Sequence, residues 1–186
     1  LSGSGRNKAY LYASEIWREL LDEYPELKII TVGDDVCKML EIKHDRIIAQ
    51  SGAWSIRESL LATKYADLVV SPDTGILHGA GCFETPKVGL LGATSKENIV
   101  KYFKNDYSLE AQIDCAPCFR IIDIPEIQCP IDKKTLACEC MAEGLPKERV
   151  EEHLKTVINK YYGIRPEKNE LDDKLSCLSN VGAGNA

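Results

Sequence analysis

Apolar residues at Ile16, Trp17, Leu20, Leu21 and Tyr24 recur at the spacing of one helix face, with Ser14 as a cap and Pro25 as a stop. This pattern predicts an amphipathic helix over about 14–24. Residues 28–33 (Lys-Ile-Ile-Thr-Val-Gly) form a short β-branched run that reads as a buried strand, and residues 46–49 (Arg-Ile-Ile-Ala) read as a second. Ser55-Ile56-Arg57-Glu58 has the form of a capping box and predicts a helix through about Tyr65. Another apolar run, 67–71 (Asp-Leu-Val-Val-Ser), gives way at Pro72-Asp73-Thr74-Gly75 to a short helix from about Ile76. A strand at 87–92 and a helix over about 95–103 repeat the alternation. Strands alternating with helices imply a parallel sheet covered by helices on both faces, an α/β fold.

Beyond Cys115 the alternation breaks into a cysteine-rich loop over 115–140. After it Pro146 starts a long helix, 147–162, with Val150, Leu154, Val157, Ile158 and Tyr161 on one face. One domain over 1–162 is therefore expected, followed by a flexible tail at 163–186, where charged and small residues offer little to bury.

Composition narrows the function. The chain has 186 residues, 44% hydrophobic and 28% charged, with a formal net charge of -6. That length sustains a core without staples. The negative balance argues against nucleic acid as a partner, because such binding needs clustered excess cations. No apolar run reaches the roughly 18 to 20 residues of a transmembrane helix, and no signal-peptide pattern is present. A soluble cytoplasmic setting is the expectation. The opening Leu1-Ser2-Gly3-Ser4-Gly5, without Met, reads as the end of a strand running into a phosphate loop, so the chain is expected to be part of a longer polypeptide.

The most informative stretch is 66–92, Ala-Asp-Leu-Val-Val-Ser-Pro-Asp-Thr-Gly-Ile-Leu-His-Gly-Ala-Gly-Cys-Phe-Glu-Thr-Pro-Lys-Val-Gly-Leu-Leu-Gly. A strand that ends at Asp73-Thr74-Gly75 and feeds a helix presents free amides and a positive dipole end where open α/β folds bind anions. Thr74 adds a hydroxyl, Gly75 permits close approach, and His78 lies one turn on with an imidazole N–H. The other reading is a plain strand-turn-helix with a capping Asp or Thr.

This stretch resembles the signature of the glycosyltransferase family 9 heptosyltransferases, in which Asp-Ser/Thr-Gly-x-x-His precedes a Pro-Val-x-x-Leu-x-Gly-x-Thr strand and turn. Gly3-Ser4-Gly5-Arg6-Asn7-Lys8 before the helix with Trp17 resembles the family's Lys-containing loop, although the usual Pro between them is missing. Trp54-Ser55-Ile56-Arg57-Glu58 resembles its segment beside the nucleobase. The resemblance implies the Rossmann-like, carboxyl-terminal half of a GT-B glycosyltransferase, binding a nucleotide-diphosphate sugar of ADP-heptose type for inverting transfer to a lipopolysaccharide-type acceptor.

Carried over residue by residue, the resemblance gives the diphosphate to Ser4, Lys8, Thr74, Gly75 and His78. It sets Asp73 near the donor sugar, Asp34 or Asp35 near ribose or base, and Trp54 over the base. It also implies that the partners are the donor, a glycolipid or saccharide acceptor, and an N-terminal acceptor domain. That domain supplies the general base, so no catalytic residue is expected in this chain, and no cofactor is required for catalysis. A nucleotide-sugar epimerase of the same architecture and a non-catalytic nucleotide-binding module are the alternatives.

Five of the eight cysteines, Cys115, Cys118, Cys129, Cys138 and Cys140, fall within one short segment. A Cys-x-x-Cys knuckle with further thiols nearby fits a structural zinc site. Disulfides and reduced, buried thiols are the other two readings.

Overall fold

The computed structural model describes residues 8–120, Cys129 and residues 138–161. Ser4, the expected tail at 163–186 and most of 121–137 lie outside the described residues. In chain order the described elements are α1 (Ala13–Glu23), β1 (Ile29–Thr31), α2 (Asp35–Met39), β2 (Ile47–Ala49), α3 (Ile56–Tyr65), β3 (Val69–Pro72), α4 (Gly75–Gly81), β4 (Lys87–Leu91), α5 (Lys96–Ile99), β5 (Leu109–Glu110), α6 (Glu139–Ala142) and α7 (Lys147–Tyr161).

All strand pairings are parallel. β1 pairs with β2, and β3, β4 and β5 form a second set in that order, with Val69 opposite Lys87 and Leu90 opposite Leu109. Strand β4 lies at the centre of the second set and is buried along its whole length. Its side chains divide between two layers, as the period-2 alternation of a strand requires. Val88 and Leu90 join the core formed by α1, α6 and α7, which includes Ile16, Leu20, Met141, Leu145, Val150, Leu154 and Val157. Leu91 packs instead with Leu77 of α4 and with Val100 and Phe103 beyond α5. The three-stranded set is therefore covered on both faces, as the alternation of elements predicts.

Two polar devices join the layers. The Arg46 guanidinium donates to the carbonyls of Tyr24 (2.7 Å) and Pro25 (2.9 Å), tying the end of α1 to the start of β2. Lys87, fully buried, donates to the carbonyls of Phe83 (3.0 Å) and Lys104 (2.6 Å), and burial pushes its ammonium below the usual lysine range.

The helix opened by Ser55 carries the expected capping box: its backbone N–H donates to Glu58 at 2.7 Å, while its hydroxyl accepts from the Glu58 amide at 3.3 Å. Several expectations need correction. Ser14 lies inside α1 and does not cap it; Tyr12 holds the cap position, with no side-chain hydrogen bond. The run at 28–33 yields only a three-residue strand, and β1 and β2 are not buried, Ile30 being 39% exposed. The helix expected over 95–103 closes after Ile99, with Val100 at its C-cap and Phe103 packed against the Leu77, Leu91 and Val100 cluster. Three short elements, α2, β5 and α6, arise where the apolar pattern gives no signal of its own.

Candidate functional site

Strand β3 ends and α4 begins within the Pro72-Asp73-Thr74-Gly75 turn. Thr74 holds the N-cap position in extended conformation, yet its hydroxyl makes no capping bond and lies 2.8 Å from Ser71 Oγ. The first-turn amides of α4 are thus left to outside acceptors. Gly75 opens the helix with nothing within 4 Å of where a Cβ would stand, so the approach to that backbone is unobstructed.

Asp73 gathers groups from three parts of the chain. One carboxylate oxygen lies 3.2 Å from His78 Nε2, one turn along α4. The other accepts from the Thr94 hydroxyl at 3.4 Å and lies 3.6 Å from Lys8 Nζ. Lys8 and Asp73 are both mostly shielded, with side chains 18% and 13% exposed, whereas His78 is half exposed. His78 also meets the Phe103 ring edge-on, at 6.1 Å between centroids. Lys8 and Asp73 share a narrow crevice with Leu90, Gly92, Ala93, Thr94 and Met141. The arrangement is an ammonium, an imidazole and a hydroxyl around one carboxylate, at the carboxyl end of a parallel strand and beside the first turn of α4. It suits an anion that can compete for these donors.

Of the residues singled out from the sequence, Lys8, Asp73, Thr74, Gly75 and His78 come together here. Asp34, Asp35 and Trp54 form a separate group at the ends of β1 and β2. Asp34 caps α2 by accepting from the Cys37 amide at 2.9 Å, and that bond holds its carboxyl below the usual range. Asp35 faces Gly52, whose φ of 71 is adopted readily only by glycine. Trp54 is half-buried in the next turn. Among the described residues, no hydrogen bond, ion pair or ring contact links this group to Asp73. Two residues escaped the sequence reading of roles: Ser71, buried in β3 behind the turn, and Thr94, which lines the crevice as the final residue of the Gly-x-Thr pattern. The pattern itself was the signal for Thr94.

The cysteine segment abuts the crevice. A Cβ on Gly92 would stand 2.5 Å from Met141 Sδ and 2.9 Å from Cys140 Sγ, and the Phe119 amide donates to the Ala93 carbonyl at 2.8 Å. Cys115, Cys118 and Cys129 pack half-buried against the core, while Cys138 and Cys140 are buried with their sulfurs 3.2 Å apart. Burial, followed by the neighbouring Cys129, Cys118 and Cys138, pushes the Cys115 thiol up. The hydrogen bond to Cys138, followed by burial, does the same to Cys140. None of the seven described cysteines is in a disulfide, and among the described residues no three His, Cys, Asp or Glu side chains are arranged to hold a metal. No helix of the described residues is long and apolar enough to cross a membrane.

Comparison with known proteins gives two findings. Residues 51–127 match the family model of glycosyltransferase family 9 (heptosyltransferase). The solved structure of E. coli ADP-heptose LPS heptosyltransferase II superposes with a TM-score of 0.63 at 13% identity, over 86% of this chain and 45% of that one. At that identity the likeness establishes the fold alone, a Rossmann-like α/β fold shared with part of that enzyme, and this chain spans less than half of the other's length. No curated protein matches.

Proposed function

Since residues 51–127 carry the glycosyltransferase family 9 (heptosyltransferase) pattern, we propose that this chain binds the diphosphate of a nucleotide-sugar donor at the β3–α4 turn. The donor class is ADP-heptose-like, and the reaction is inverting transfer to a lipopolysaccharide-type acceptor. The observation that carries the reading is Asp73 holding Lys8, His78 and Thr94 beside the open backbone of Gly75.

Displacement at the anomeric carbon breaks its bond to the diphosphate oxygen as the acceptor hydroxyl attacks from the opposite face. Negative charge then grows on the leaving diphosphate. Groups that strengthen their hold on that charge in the transition state accelerate the step. Lys8 supplies a full positive charge, His78 an N–H one turn into α4, and Thr74 a hydroxyl. Asp73, released from part of its contact with Lys8 and His78, accepts from a hydroxyl of the donor sugar. The general base on the acceptor hydroxyl comes, in this proposal, from a carboxylate of an acceptor domain outside these residues. Asp34 or Asp35 and Trp54 take the ribose and base.

A thermal-shift panel of ADP, UDP and GDP tests the reading. The matching nucleotide at 100 times its dissociation constant adds about 2.7 kcal/mol of stability. Absence of a shift with every nucleoside diphosphate overturns it.

A further inference from the structure

Ser71 stands directly behind the turn. Its side chain is buried, and its register partner in β4 is Gly89, so it faces the α4 layer. Ser71 Oγ lies 2.9 Å from the Pro72 carbonyl oxygen and 2.8 Å from Thr74 Oγ1. A hydroxyl has a single proton to donate, and a carbonyl can only accept. With the Ser71 proton on Pro72 O, the contact with Thr74 is filled by the Thr74 proton pointing inward. The outward side of Thr74 Oγ1 then shows lone pairs, the wrong polarity for an anion.

We propose that Ser71 is a positioning residue that turns the Thr74 proton outward when an anion arrives. Ser71 rotates its own proton from Pro72 O onto Thr74 Oγ1, and Thr74 donates to the phosphate oxygen. Two hydroxyl hydrogens swing, no heavy atom moves, and the 2.8 Å contact persists with donor and acceptor exchanged. Ser71 does not itself touch the ligand. Its effect is to keep the Thr74 hydroxyl in one rotamer while leaving its proton free, so that little ordering remains to be done on binding. The inference rests on the diphosphate reading of the turn given above.

The test is a double-mutant cycle read by calorimetric titration of this chain with ADP, with thermal midpoints recorded in parallel. Ser71→Ala is expected to weaken ADP by about tenfold, the scale of one hydrogen bond. Thr74→Val should weaken it by a similar factor, and in the Thr74→Val background Ser71→Ala should add almost nothing. Ser71→Thr, which keeps the hydroxyl, should restore most of the affinity and guards against a misfolded alanine variant. Equal losses from Ser71→Ala with and without the Thr74 hydroxyl would mean a merely structural serine and would overturn the proposal. So would an unchanged ADP affinity in Ser71→Ala, which leaves the diphosphate reading intact. If the unsubstituted chain fails to bind ADP or inorganic pyrophosphate, both fall together.

Discussion

The carboxylate of Asp73 lies 3.6 Å from the ammonium of Lys8, and its other oxygen lies 3.2 Å from His78 Nε2. One internal carboxylate therefore sits where the Lys8 ammonium and the His78 imidazole converge. It keeps them close to the crevice, yet it competes with any ligand anion for them. A partly shielded pair such as Lys8 with Asp73 contributes on the order of 1 kcal/mol to stability, so the main consequence is for binding.

That competition gives three substitutions of opposite sign. Lys8→Ala and His78→Ala should each weaken ADP by about tenfold or more, because charge-assisted hydrogen bonds are lost. Asp73→Asn removes the competing charge and should leave ADP affinity unchanged or improved, while impairing use of the intact sugar donor. A loss of ADP affinity in Asp73→Asn as large as that in His78→Ala would contradict this ordering. Calorimetric titration measures all three.

Two glycines separate fold from binding. Gly75→Ala introduces a methyl into open space at the first position of α4, so the thermal midpoint should hold or rise slightly. The ligand, in contrast, meets that methyl, and ADP affinity should fall. Gly92→Ala drives a Cβ against Met141 Sδ and Cys140 Sγ and should cost about 1–3 kcal/mol of stability. If Gly75→Ala binds ADP as the parent does, the diphosphate does not approach that backbone.

Asp34 offers a prediction with a pH sign. Its carboxyl is held below the ordinary value of 3.8, first by the Cys37 amide it caps. A carboxylate with a depressed folded pKa contributes stability that is fully present above the unfolded value and is lost as pH falls through the folded one. The α2 cap should therefore persist at pH 3.8 and fail only below it, a change that amide shifts of Cys37 would follow. Asp34→Asn keeps a competent cap without the charge. If Asp34 also serves the nucleoside through its charge, Asp34→Asn should weaken ADP while leaving α2 intact. Equal affinity would restrict Asp34 to capping and leave the ribose to Asp35.

Much of the architecture was readable from the order of residues, and the reason is local. Ser55 and Glu58 form their capping box within one turn, the apolar stripe of α7 follows its own periodicity, and β3 and β4 are runs too apolar to lie anywhere but between two layers. The Asp73-Thr74-Gly75-Ile-Leu-His78 spacing likewise fixes which residues share a turn. Short elements were not legible, since α2, β5 and α6 are each too brief to show a period and owe their form to a cap or to a neighbour.

The sequence by itself determined the alternation of elements and the chemistry of the β3–α4 turn, because both depend on contacts within a few residues. Only the tertiary structure decided that Lys8 and Thr94 reach Asp73, and that Met141, just past the cysteine segment, lines the crevice. Those contacts depend on the directions in which β3 and β4 leave the sheet and on how α6 packs over Gly92, which no local pattern encodes.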